Sequence, residues 1–165
     1  DDDGSPCVVW LQDILDAAFG KGTSTVICPI TDAFVGHHGA LGGFVRVYCH
    51  ADLTAEQVIE TIQDFPGLEQ VLSRKEVADT YDLPFDVEGD VAVLGDARTV
   101  IGASEQDHDL SGLKGHRLRT HGSLYEADVP IVLSRPVNDL YARRAEAGRL
   151  HSYQVFDYVL NGTVN

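Results

Sequence analysis

Between Val8 and Ile101 the hydrophobic period of the chain switches repeatedly between helical and extended spacing, and this alternation most narrows the folds open to it. Apolar residues at Val8, Leu11, Ile14, Leu15, Ala18 and Phe19 recur at helical intervals and are followed by Gly20 and Gly22, which predicts a helix over Val8 to Phe19. Thr23 to Ile30, rich in Thr, Val and Ile, and Gly43 to His50 read as strands. Thr54 with Gln57 three positions on forms a capping-box pattern, after which Val58, Ile59 and Ile62 make one helical face that ends near Phe65-Pro66-Gly67. Leu68 to Leu72 predicts a short strand and Arg74 to Tyr81 a short helix, broken at Asp82-Leu83-Pro84. Asp90 to Asp96 and Thr99 to Ile101 predict two strands of a hairpin across an Asp-rich turn. Val129 to Leu133 reads as a strand, Asn138 as the cap of a helix through Arg144, and Tyr153, Phe156, Val159 and Leu160 as one helical face. Together these elements give an α/β architecture.

Composition removes several function classes. The 165 residues carry 12 Lys and Arg against 26 Asp and Glu, a formal charge of −14, which opposes binding to a phosphate backbone and makes nucleic acid a poor partner. Apolar runs such as Val129 to Leu133 fall far short of a bilayer span, so no membrane partner is expected. Met is absent even from the first position, and Asp1-Asp2-Asp3 has no targeting character, so the chain reads as part of a longer one. Cys7, Cys28 and Cys49 are an odd count at wide spacing. They make neither a CxxC knuckle nor a disulfide framework, and Cys28 and Cys49 read as buried thiols of a cytoplasmic protein. Asn161-Gly162-Thr163 is a sequon by accident, because no secretory feature accompanies it.

The residues that could carry chemistry are mostly histidines, at 37, 38, 50, 108, 116, 121 and 151. Imidazole is the commonest transition-metal ligand, and aspartate oxygens complete hydrolytic zinc sites. His108-Asp109, His116 and His121 lie within fourteen residues, in and just after the long polar segment Gly102 to Thr120, a length more often functional than idle. No HExxH pattern is present, and a solvated polar loop accounts for the spacing equally well. His37 and His38 sit in Gly36 to Gly43, where four glycines in eight residues suit either an anion-facing loop or a very close backbone approach. There is no Walker lysine and no GxSxG elbow.

Several longer stretches resemble a known family. Arg119-Thr120-His121-Gly122-Ser123-Leu124-Tyr125-Glu126 before Val129 to Leu133 is similar to the last metal-ligand segment of the alkaline phosphatase superfamily, where a His-Gly pair precedes a strand ending the central sheet. Pro6 to Leu15 (PCVVWLQDIL), Ile30-Thr31-Asp32, His37 to Gly42 (HHGALG), Gly89 to Leu94 and His108-Asp109-Leu110-Ser111 resemble phosphonoacetate hydrolases. The resemblance implies two zinc ions, a nucleophilic Thr, and cleavage of the carbon–phosphorus bond of phosphonoacetate to acetate and phosphate. His121 matches the final metal ligand. The DxxxH and Asp-His-Gly motifs and the nucleophilic Thr of the family have no counterpart here, so the chain reads as the C-terminal part of such an enzyme, with its other partner the missing N-terminal part and with a homodimer as in the family.

On that reading the fold is the C-terminal part of an alkaline-phosphatase-like central sheet with flanking helices, plus a small inserted α+β unit. Residues 1–22 and 86–165 would belong to the main α/β metallohydrolase domain and 23–85 to the insert. No catalytic residue is assigned in this chain; the metal ligand is His121, and His37, His38 and His108 are further site candidates. Two other functions remain open: another phosphodiesterase or nucleotide pyrophosphatase of the superfamily, and a non-catalytic fragment.

Overall fold

The computed structural model describes residues 7–29, 41–108, 110, 121–148 and 150–164. The chain divides into two compact units after Ala127. In the first unit, β1 (Cys7–Trp10) runs directly into α1 (Leu11–Phe19) and pairs in parallel with β6 (Thr99–Gly102), Cys7 opposite Thr99 and Trp10 opposite Gly102. The helix predicted from Val8 therefore starts three residues later. Val8 and Leu11 coincide with helical spacing, but Val8, Val9 and Trp10 are β-branched or aromatic and pair in an extended ladder. Leu11 and Leu15 are buried, and α1 ends at Gly20, whose positive φ of 92° suits glycine.

A second, antiparallel sheet has the order β2 (Ser24–Ile27), β3 (Phe44–Cys49), β5 (Val91–Gly95), β4 (Leu68–Ser73). Two helices flank it, α2 (Ala55–Ile62) and α3 (Arg74–Tyr81). Each begins with a reciprocal capping box, Thr54 with Gln57 and Ser73 with Glu76, so local sequence fixes both starts. Asp82 closes α3 in the left-handed conformation (φ 54°). The apolar faces of α1 and α2 join β2, β3, β5 and β6 in one core built on Leu11, Leu15, Val26, Val45, Val47, Val58, Ile62, Val91, Val93 and Ile101.

The expected β5–β6 hairpin does not form. All five residues of β5 are buried, and β3 and β4 already take its two edges. The chain turns at Asp96, whose carboxylate accepts the Arg98 amide (2.9 Å), and β6 leaves to pair with β1. β5 thus sits between β3 and β4 in the same sheet, so this sheet draws on residues beyond 85.

Two ion pairs stitch this sheet together. Arg46 on β3 grips Glu88 through Nε–Oε2 and Nη2–Oε1 contacts, both 2.7 Å, and the Glu88 residue is only 2% exposed. Arg74 bonds Asp90 Oδ1 at 2.8 Å, while Asp90 Oδ2 accepts the Cys49 amide at 2.8 Å.

In the second unit Asn138 caps α4 (Asp139–Ala147), accepting the Leu140 and Tyr141 amides. Short helical turns follow over Ser152–Gln154, Val155–Asp157 and Tyr158–Gly162. The predicted face of Tyr153, Phe156, Val159 and Leu160 is exposed, and Tyr158 is the buried residue, meeting Tyr141 edge-on at 4.9 Å. Val129 to Leu133 is not a strand. Pro130 lacks an amide donor, and Val132 is 85% exposed.

The Arg46–Glu88 pair is asymmetric in exposure, which sets an order for its variants. Arg46→Ala leaves a buried carboxylate uncompensated and should cost about 3–5 kcal/mol. Glu88→Gln leaves a guanidinium that water can reach and should cost less, on the order of 1–2 kcal/mol. Urea unfolding of the two variants checks the order; equal costs would contradict the pairing described.

Candidate functional site

Ligands of sheets with parallel strands gather at the carboxyl ends of those strands. Here that end is where Trp10 closes β1 and Gly102 closes β6. A Cβ on Gly102 would come within 2.4 Å of the Trp10 ring and 2.6 Å of Leu41, so only glycine lets the indole lie across the strand end. His108 stacks on the same indole with ring centroids 5.3 Å apart and 26° between planes. Its Nε2 accepts the Ala103 amide at 3.3 Å, which for a neutral ring puts the proton on Nδ1. Trp10 is the residue at this strand end that the sequence reading missed, because it was counted into a helix and its glycine neighbour, Gly102, meets it only through the β1–β6 pairing.

His121 is held from the other side of β6. Gly42 pairs with Ile101 in both directions, the Gly42 amide donating at 3.3 Å and the Ile101 amide at 2.7 Å. The next residue, Gly43, donates its amide to the His121 carbonyl at 2.8 Å and accepts the Gly95 amide at 2.9 Å. A Cβ on Gly42 would lie 3.2 Å from the imidazole Cε1 and Nδ1, and one on Gly43 would lie 2.4 Å from Ser123 Cβ. Both ring nitrogens of His121 are shielded from solvent. Gly122 then turns the chain at a φ of 80°, and Ser123 and Glu126 close a capping box whose carboxylate accepts the Ser123 amide (3.0 Å) and hydroxyl (2.9 Å). Both imidazoles thus meet residues close to the end of β6, His108 through Trp10 and Ala103 and His121 through Gly42.

His37, His38, Asp109 and His116 lie outside the described residues. Among the described residues no group of three His, Cys, Asp or Glu could hold a metal ion. His121 suits the part of a single nitrogen ligand, with both nitrogens away from bulk water and the backbone on either side fixed. A complete ligand set has to draw on further residues.

Cysteine is poorly placed for nucleophilic chemistry. All three thiols are free and half-buried, where the sequence predicted full burial for Cys28 and Cys49. Burial pushes the Cys49 thiol up to about 11, aided by the negative charges of Asp90 and Glu56, and burial also raises Cys28 against the opposing effect of a hydrogen bond with the Ala103 backbone. Among the described residues no helix is long and apolar enough to cross a membrane.

No protein-family model matches the sequence. The solved structures that match include two of phosphonoacetate hydrolase from Sinorhizobium meliloti 1021, one in complex with phosphonoformate and one with phosphonoacetate. Each is 39% identical to this chain, with TM-scores of 0.69 and 0.68, over 76% of its residues. This chain matches part of a phosphonoacetate hydrolase. The match is partial, since the chain spans 30% of the length of the hydrolase. The mixed α/β fold of sheet and flanking helices agrees with the hydrolase-like fold that the sequence motifs implied.

Two outcomes follow from this geometry. Gly43→Ala must push the Ser123 segment away and should cost about 1–3 kcal/mol in urea unfolding. It should also shift the His121 ring resonances in NMR spectra; unchanged resonances would contradict the clamp. At pH 8, Cys49 should react with iodoacetamide on the order of 100-fold more slowly than a free thiol in the same buffer, read by mass spectrometry.

Proposed function

We propose that these residues form part of a zinc-dependent hydrolase that cleaves the carbon–phosphorus bond of phosphonoacetate to acetate and phosphate. The observation that carries this reading is the 39% identity, over 76% of this chain, to a hydrolase whose structures hold phosphonoacetate and phosphonoformate. Bound zinc would neutralise phosphoryl oxygens and favour a deprotonated nucleophile near neutral pH. Within this chain His121 would supply one zinc ligand, held in place through its carbonyl by the Gly43 amide. His108 would stand at the same strand end, with its ring stacked on Trp10 and its Nε2 bonded to the Ala103 amide. His37 and His38 stay candidates for the anion-facing side of the Gly-rich stretch.

The nucleophilic threonine and the remaining ligands, two zinc ions in all, would come from the part of the enzyme that this chain does not contain. The central sheet would be of the alkaline phosphatase type, with β1 and β6 in it and α1 among its flanking helices. The inserted unit would extend from residue 23 through β5 rather than stopping at 85, because β5 completes its sheet. Three free thiols suit the reducing cytoplasm, and the homodimer of the family belongs to the same reading.

The test is hydrolysis of phosphonoacetate by this chain alone and by the chain combined with the missing part, each with added zinc. The combination should be active and the chain alone inactive. His121→Ala in the combination should lower the rate by about 10²–10³-fold. A nucleotide diester offered in competition separates the pyrophosphatase reading. Turnover by the isolated chain that survives His121→Ala would overturn the assignment.

A further inference from the structure

We infer that Asp13 is a positioning residue of the candidate site: its carboxylate pins the turn that follows β6 onto the first turn of α1, and so holds the His108 ring on Trp10 in one tautomer. Its bearing on catalysis rests on the reading of this strand end as part of a phosphonate-hydrolysing site.

The chain leaving β6 makes one 3₁₀ turn over Glu105–Asp107, with Ser104 in the capping position. Serine is a favoured cap, and the capping side chains of Thr54, Ser73 and Asn138 each accept an amide of the helix they start. Ser104 makes no such bond. The Glu105 amide is accepted instead by Asp13 Oδ2 at 2.9 Å, across 92 positions of sequence. Asp13 is exposed and lies in the first turn of α1. A carboxylate there gains from the helix dipole wherever it points. What is particular to Asp13 is that it caps a second turn at the same time.

Two neighbours of Asp13 reach the same segment. The Gln12 amide donates to the Ala103 carbonyl at 2.8 Å, and the Trp10 indole carries the His108 ring. The Gln12 bond is made by backbone and does not depend on the side chain, and a stacked face lets a ring slide. The Asp13 bond fixes the middle of the segment, at Glu105, so that Ala103, Glu105 and His108 are all tied to the β1–α1 junction. This keeps His108 Nε2 against the Ala103 amide. In a neutral imidazole the bond made by one nitrogen sets which of the two carries the proton. Free histidine prefers the proton on Nε2, whereas the Ala103 bond requires it on Nδ1, so the tautomer reports whether the turn is held.

The test is ¹⁵N NMR of the His108 ring in this chain at pH 8. Asp13→Ala should move the ring nitrogens from the Nδ1-protonated pattern toward that of free histidine, and the Glu105 amide should exchange on the order of tenfold faster. Asp13→Asn keeps an acceptor oxygen and should keep the original pattern. Glu105→Pro removes the donor instead, at a first helical position that suits proline and after a Ser104 that is already extended (φ −119°, ψ 144°). It should reproduce the Asp13→Ala shift, and the two substitutions together should add nothing. Ring nitrogens unmoved by Asp13→Ala overturn the inference, as do shifts that add in the double variant or an Asp13→Asn that behaves like Asp13→Ala. So does a ring shift accompanied by lost protection of the β5 amides, which would make Asp13 a structural residue only. In the chain combined with the missing part of the enzyme, Asp13→Ala should lower kcat for phosphonoacetate by about 10–100-fold with KM unchanged, and Asp13→Asn should restore it. An unchanged kcat with the ring displaced overturns the positioning role. A ring response in a combination that turns over no phosphonoacetate removes the proposed reaction and keeps the Asp13 contact, and turnover without a ring response does the reverse.

Discussion

Two residues without side chains, Gly42 and Gly43, join four segments of the first unit. Their backbone groups bond Ile101 on β6 in both directions, Gly95 on β5 and the carbonyl of His121. Each bond contributes about 1 kcal/mol net. The demand on the side chain is steric rather than conformational. Neither residue has a positive φ, yet a Cβ on Gly43 would sit 2.4 Å from Ser123 and one on Gly42 3.1 Å from the His121 carbonyl. Through this seam the antiparallel sheet, the parallel pair and the His121 segment share one set of positions. The imidazole is thereby placed by strand backbone rather than by a loop, which suits a group that must meet a ligand with small error.

The same seam explains why the site is incomplete within these residues. His108 meets Trp10 and Ala103, His121 meets Gly42, and among the described residues no group of three metal-binding side chains forms around either. The chain spans 30% of the length of the hydrolase it matches.

What could be read from sequence followed the range of the interaction. The capping boxes at Thr54 and Ser73 and the cap at Asn138 are settled within four residues, and all three form; the one at Ser73 was not read from the sequence, though the helix it starts was. The partner of a strand is settled across the whole fold. Adjacent strand signals at Val91–Gly95 and Thr99–Gly102 read as a hairpin until both edges of β5 prove to be occupied. Val8 fitted a helical period by coincidence, and Val129 to Leu133 had the composition of a strand without the donor at Pro130. At the site, the glycine cluster announced a close approach but not what approaches. The metal-ligand role proposed for His121 rests on resemblance alone, since a His-Gly pair is too common to specify chemistry. His37, His38 and His116 lie outside the described residues and add nothing to this comparison.

The central claim is that the glycine seam holds His121 where it can ligate zinc. The most direct measurement is ¹⁵N NMR of the His121 ring during a zinc titration of this chain combined with the missing part of the enzyme. The account expects one ring nitrogen to move to the metal-bound range as zinc is added, and that shift to weaken in Gly43→Ala. Zinc binding that leaves both His121 nitrogens unmoved would contradict it.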